Sequence, residues 1–352
     1  MRALSELVLL TAIVVAAAAC SGGGDDGSSA PSDGRTTDAS QAIDAPAGAV
    51  DAALVDAPPA SADPGERGTF QIVTQDNVAI ALGAGNVRGT VFSPSTNGTA
   101  PAPGPFPLVI VSSGFQLART QYAPYCQHLA SWGYVCITHD YAASGNHQAK
   151  AREIGQIIDW ALGAQSGLAA RVDAARIAVA GHSLGGKVSI NAAILDARIK
   201  AVVGWDPVDA LPPFSTDGSL SVTPEMMGNL RVPIAVLGEL TDSTGGLGGQ
   251  ACAPSADNYQ QYFVHACQAP ARLEVTIDAA DHMDWIADRN SCGLACLACK
   301  SGTTPEATVQ TITRRVTTAW LEGHLRNDQS VVPWLAAPRI GTPTSLRTTG
   351  GC

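Results

Sequence analysis

Basic charge is scarce in this sequence: its 352 residues carry 21 Lys and Arg against 31 Asp and Glu, a net charge of −10. The imbalance is local. Residues 21–66 hold nine acids against the single base Arg35, whereas residues 67–352 hold 21 acids and 19 bases. Without a basic patch or stripe the chain lacks the electrostatic footprint of nucleic-acid binding, so no nucleic-acid partner is expected. It also lacks a Lys-rich amphipathic segment of the kind that adsorbs to membrane surfaces. Internal repeats are missing as well, and no repeat architecture is indicated.

What is present begins with a leader. Residues 1–19 combine Arg2, an apolar run from Leu7 and small residues from Ala16 to Ala19, which reads as a secretory signal rather than a spanning helix. Ala17-Ala18-Ala19-Cys20 resembles a bacterial lipobox, which implies lipidation of Cys20 and attachment to a membrane through that lipid alone. Cleavage at an ordinary signal-peptidase site, leaving a secreted protein, is the alternative. Residues 20–66 turn to Gly, Ser, Pro, Ala and Asp with repeated Asp-Ala pairs and keep no periodic apolar face; they read as a disordered tether. The folded domain is then 67–352. Eight cysteines follow Cys20, an even number in an exported chain, so disulfides are expected. Cys252 with Cys267 and Cys126 with Cys136 are the anticipated pairs. Cys292-x3-Cys296-x2-Cys299 has the spacing of a radical iron–sulfur site, but no barrel pattern surrounds it and Cys352 supplies a fourth partner for two disulfides. No metal or other cofactor is expected.

From Thr69 the chain alternates short apolar runs with turns. Phe70–Thr74 and Arg88–Phe92 read as antiparallel opening strands. Buried strands follow at Pro107–Ser112, Tyr134–Thr138, Ile177–Ala180, Ile199–Gly204, Pro233–Leu237 and Leu273–Ile277, with helical stretches near 122–132, at 149–162 and at 308–325. The Pro-rich tail reads as tied down without regular structure. Strands alternating with helices predict an α/β fold: a mostly parallel central sheet with helices on both faces.

The stretch Gly181-His182-Ser183-Leu184-Gly185 falls between a predicted strand and a predicted helix. In that context Gly-x-Ser-x-Gly is a nucleophile elbow, whose small residues let the chain turn sharply and expose the serine oxygen. A serine hydroxyl needs a histidine to take its proton and a carboxylate to orient that histidine. The polar clusters at later strand ends supply both, in the order serine, acid, histidine. Asp206 and Asp242 are the two candidate acids. His282 is the candidate base, whereas His265 and His324 read as surface or packing residues. Asp209, Asp281 and Asp284 read as turn or capping residues. The backbone N–H groups of Leu184, next after the nucleophile, and of Phe115, after the strand-end Ser113-Gly114, are the candidate oxyanion donors. Trp205, Met283 and Trp285 line either the cleft or the core.

Gly181-His-Ser-Leu-Gly-Gly-Lys187 together with Trp205-Asp206-Pro207-Val208-Asp209 resembles the plant chlorophyllases, an α/β-hydrolase family. Cys252-Ala-Pro254, Cys267, Ala280–Asp284 and the cysteines before Lys300 have counterparts there in the same order, over about residues 105–325. The resemblance implies a serine esterase with Asp206 as triad acid. The spacing from Ser183 to Asp206 is also similar to that of platelet-activating-factor acetylhydrolases. Bacterial polyester hydrolases place the acid one strand later, which corresponds to Asp242. Leu184 stands where the plant enzymes have arginine and the leader is bacterial in style, so the resemblance does not imply chlorophyll itself; a nearly neutral domain anchored outside a membrane points to a hydrophobic small-molecule or polymeric ester. A non-catalytic surface binding module on the same fold is the rival reading.

Overall fold

The computed structural model describes residues 62–83, 85–142, 146–209, 221–246, 249, 251–297 and 299–352. The expected leader, Cys20 and the tether as far as residue 61 lie outside the described residues. The last tether residues bond to the domain: Arg315 pairs with Asp63 at 2.6 Å, and His128 Nε2 donates to the Pro64 carbonyl at 2.8 Å.

Strands β1 (Gln71–Leu82) and β2 (Gly85–Ser95) form the expected antiparallel opening pair. β2 then lies antiparallel to β4 (Val135–His139). β3 (Phe106–Ser112), β4, β5 (Val172–His182), β6 (Ile199–Trp205), β7 (Ile234–Gly238) and β8 (Arg272–Ile277) run parallel. A short β9 (Thr344–Arg347) closes the far edge antiparallel to β8. Among the described residues the spatial order is β1-β2-β4-β3-β5-β6-β7-β8-β9. β4 and β7 are buried along their whole length, which is why they read as unbroken apolar runs instead of alternating ones.

Helices cover both faces. α2 (His147–Leu162), α3 (Leu184–Leu195) and α4 (Tyr259–His265) contribute to one core, α1 (Ala123–Ser131) and α6 (Glu306–Leu325) to the other. α2 starts where the Asn146 side chain accepts the Ala149 N–H at 2.8 Å, and it buries Ile154, Ile157 and Ile158 on its sheet-facing side. Each such isoleucine contributes roughly 1.5–3 kcal/mol through its burial. This is the α/β-hydrolase architecture.

Two expectations change. The tail, expected to be irregular, supplies β9, whose ladder satisfies the backbone edge that β8 would otherwise expose. Cys252 pairs with Cys299 rather than with Cys267, which pairs with Cys352. α4 lies between Cys252 and Cys267: Cys252 is beside the carboxyl end of β7, whereas Cys267 precedes the start of β8. Nearness in sequence therefore does not bring those two together. Cys126–Cys136 forms as expected, and Cys292 pairs with Cys296, which lies within α5 (Leu294–Leu297).

Candidate active site

β5 ends at His182 and α3 begins at Leu184, so Ser183 alone makes the turn, with φ 56° and ψ −124°. That region is costly for a side-chain-bearing residue, on the order of 1–3 kcal/mol, and persists only where the surroundings impose it. Here the flanking glycines allow the close approach. A Cβ on Gly185 would lie 2.0 Å from the Ser112 carbonyl oxygen, and one on Gly181 would lie 2.4 Å from the Gly185 carbonyl. The Ser183 N–H is held by the Trp205 carbonyl at 3.0 Å, and its own carbonyl accepts from Lys187 and Val208.

β6 is the immediate neighbour of β5, with His182 opposite Trp205. Asp206, one residue past the strand, therefore emerges beside the serine, anchored by its N–H to the Leu237 carbonyl at 2.7 Å. His282 arrives from beyond β8 at the start of a one-turn 3-10 helix, His282–Trp285, that Asp281 caps by accepting the Met283 N–H. His282 Nδ1 lies 2.5 Å from Asp206 Oδ2, and its Nε2 lies 3.0 Å from Ser183 Oγ. Because a carboxylate only accepts, the proton sits on Nδ1, and Nε2 is left to accept the serine O–H. Burial raises the Asp206 pKa, and the hydrogen bond from His282 opposes the rise.

Asp242 is also close, but it holds the backbone. Its Oδ2 accepts the His282 N–H at 2.9 Å and its Oδ1 the Lys300 N–H at 2.6 Å. The Asp242 N–H donates in turn to Glu239 Oε2 at 2.9 Å. Glu239 is fully buried, and desolvation together with the charge of Asp206 pushes its pKa up to about 9. It is therefore a neutral acid at neutral pH.

Leu184 is the first residue of α3, so its N–H has no acceptor within the helix. Phe115 sits in the turn after β3, and its side chain is half exposed. The Gly114 N–H donates to Tyr122 Oη at 3.1 Å. Trp205, Met283 and Trp285 are buried in the core and do not line an open cleft. Asp281 and Asp284 form the capping pair that sequence anticipates. His265 bonds to Gln261 on its own helix and the His324 ring packs 4.3 Å from that of Trp320.

Asp209, expected as a turn or capping residue, accepts backbone N–H groups across a loop and also pairs with a buried cation. It forms a buried ion pair with Lys187 at 3.0 Å and accepts from Ser221, Val222 and Thr223. The only sequence signal for this was the lysine that extends the elbow motif, paired with the last residue of the Asp-Pro-Val-Asp run. His182 and Tyr122 were also missed: their rings meet beneath the elbow, with Tyr122 Oη 2.9 Å from His182 Nδ1. The one metal-ligand-type cluster among the described residues is Asp242, Cys252 and Cys299, and its two sulfurs are bonded to each other.

The family model for chlorophyllase matches residues 87–350. Chlorophyllase-1 of Citrus sinensis is 25% identical over 281 residues, covering 71% of this chain and 80% of that protein. Chlorophyllase-2 of Arabidopsis thaliana is 28% identical over 53% of this chain and 62% of its own length. Cutinase 2 of Thermobifida cellulosilytica is 27% identical over 55% of this chain and 64% of its own length. An elbow serine at the end of the central strand, in a sheet matched almost throughout by one family, places the chain in the chlorophyllase family, as an ester hydrolase of the serine-hydrolase superfamily.

Proposed function

We propose that the chain is an exported serine esterase that uses Ser183 as nucleophile, His282 as base and Asp206 as the acid that orients it. The observation that carries this reading is the continuous contact from Asp206 Oδ2 through both nitrogens of His282 to Ser183 Oγ. In the forward step Ser183 Oγ attacks the ester carbonyl as its proton passes to His282 Nε2, and Asp206 stabilises the imidazolium. The N–H groups of Leu184 and Phe115 receive the developing oxyanion; one such donor is worth roughly 10²–10³ in rate. His282 then protonates the leaving alcohol, and water, activated by the same nitrogen, releases the acid. Asp242 orients the base-bearing loop through its backbone and is not the triad acid.

Relatives named chlorophyllase and cutinase support a hydrophobic ester as substrate, small or polymeric. The layout follows the sequence: a signal at 1–19, a lipid on Cys20, a tether to residue 66 and a catalytic domain at 67–352. Four disulfides support an oxidising compartment. No helix among the described residues is long and apolar enough to cross a membrane. A fluorophosphonate probe should label the protein and fail to label Ser183→Ala, which should also lose hydrolysis of p-nitrophenyl esters. Labelling that persists without Ser183 would sink the mechanism.

A further inference from the structure

The elbow motif gives no role to its second residue, which here is His182. Its ring is fully buried under the nucleophile. His182 Nε2 lies 2.8 Å from the backbone carbonyl of His282, and a carbonyl can only accept, so Nε2 carries the proton. In the neutral ring Nδ1 is then bare, and Tyr122 Oη, 2.9 Å away, must donate to it. That same oxygen accepts the Gly114 N–H at 3.1 Å. The polarity of every link is thus fixed: Gly114 N–H to Tyr122, Tyr122 O–H to His182, His182 N–H to the His282 carbonyl.

This chain joins two loops that approach Ser183 from opposite sides. One follows β3 and carries Phe115; the other follows β8 and carries His282. Both intervening side chains are inaccessible to solvent, so water cannot replace a lost link without a cavity to hold it. The rings of His182 and His282 lie 4.6 Å apart. Burial, and then the charge of His282, hold the His182 pKa well below the usual histidine range. His182 therefore stays neutral while the neighbouring imidazolium forms, and its Nδ1 keeps accepting from Tyr122.

We propose that Tyr122 and His182 are positioning residues that hold the oxyanion loop and the base-bearing loop in register across Ser183. The proposal rests on the serine-esterase reading above. A misplacement of about 1 Å at a reacting group can lower rate by on the order of 10². Tyr122→Phe keeps the ring that packs on Trp205 and deletes only the hydroxyl. Counted per active site titrated with the fluorophosphonate, kcat should fall by roughly 10- to 100-fold with KM within about twofold; the titration removes any loss of folded protein, and the unchanged KM sets aside a loss of substrate affinity. His182→Phe should lose more than His182→Gln, which keeps a donor for the His282 carbonyl.

Nitrogen NMR of ¹⁵N-histidine-labelled wild-type protein gives a second readout that needs no variant to fold, and should find His182 protonated on Nε2 and bare on Nδ1. A His182 protonated on Nδ1, or a folded Tyr122→Phe with wild-type kcat, overturns the proposal. Ser183→Ala run alongside separates the two levels. If it remains active, the esterase reading itself fails; if it is dead while Tyr122→Phe turns over normally, only the positioning role fails.

Discussion

Exchanging each of the two carboxylates near His282 for its amide separates their roles. Asp206→Asn leaves the shape of the site but removes the charge opposite Nδ1, 2.5 Å away. The imidazolium then forms without its counter-charge, and the amide can force the wrong tautomer. Loss of this kind in a serine triad is worth about 10³–10⁴ in kcat, or roughly 4–5.5 kcal/mol of transition-state stabilisation. Asp242→Asn acts elsewhere. Two backbone N–H groups, of His282 and Lys300, occupy its two oxygens, and an amide offers only one oxygen in return. One buried donor is left facing an NH₂ group, which destabilises by about 1–3 kcal/mol. Melting should fall by a few degrees, and turnover by about tenfold as the base-bearing loop shifts. Steady-state hydrolysis of p-nitrophenyl butyrate beside thermal melts reads both quantities. If Asp242→Asn loses as much turnover as expected of Asp206→Asn with an unchanged melt, while Asp206→Asn stays active, the assignment of the acid is wrong.

Two further outcomes follow from buried charge. Lys187→Met leaves Asp209 ionised and without its cation, so chemical denaturation should show a loss of about 3–5 kcal/mol; a variant as stable as wild type would remove the ion pair from the account of the elbow helix. Glu239 titrates near its ordinary 4.5 when unfolded and at about 9 when folded, so between those values the folded state binds more protons. Stability should fall as pH rises through that window, by at most about 1.4 kcal/mol per pH unit. Glu239→Gln removes this slope and should gain on wild type from about pH 4.5 to pH 9. Parallel stability curves for the two proteins would contradict the buried neutral acid.

The parts of the site that were legible in the sequence are those set by local rules. An apolar run ending in Gly-x-Ser-x-Gly specifies a strand, a tight turn and a helix, and β5, Ser183 and α3 follow it. The order of serine, acid and histidine along the chain put Asp206 and His282 at strand ends that the parallel sheet brings together. The choice between Asp206 and Asp242 was not legible from order alone, because both follow adjacent strands and both contact His282, one through the ring and one through the backbone. Disulfide pairing was hidden for a similar reason. Cys267 meets Cys352 only because β9 folds back along β8, and nothing in the tail's composition announces a strand. Tyr122 and His182 meet because Tyr122 ends the turn before α1 while His182 ends β5, a contact between residues 60 positions apart.

The pairing of β5 with β6 also sets how the parts of the site are held. Ser183 and Asp206 are joined through the middle of the sheet, by the Ser183 N–H to Trp205 and the Asp206 N–H to Leu237, so they separate only when the sheet does. His282 hangs on a single turn held by carboxylate side chains and by His182. The loop that carries the proposed base is thus tied by side chains where the proposed nucleophile and acid are tied by the backbone, so loss of one side-chain link can shift the base while the other two stay in register.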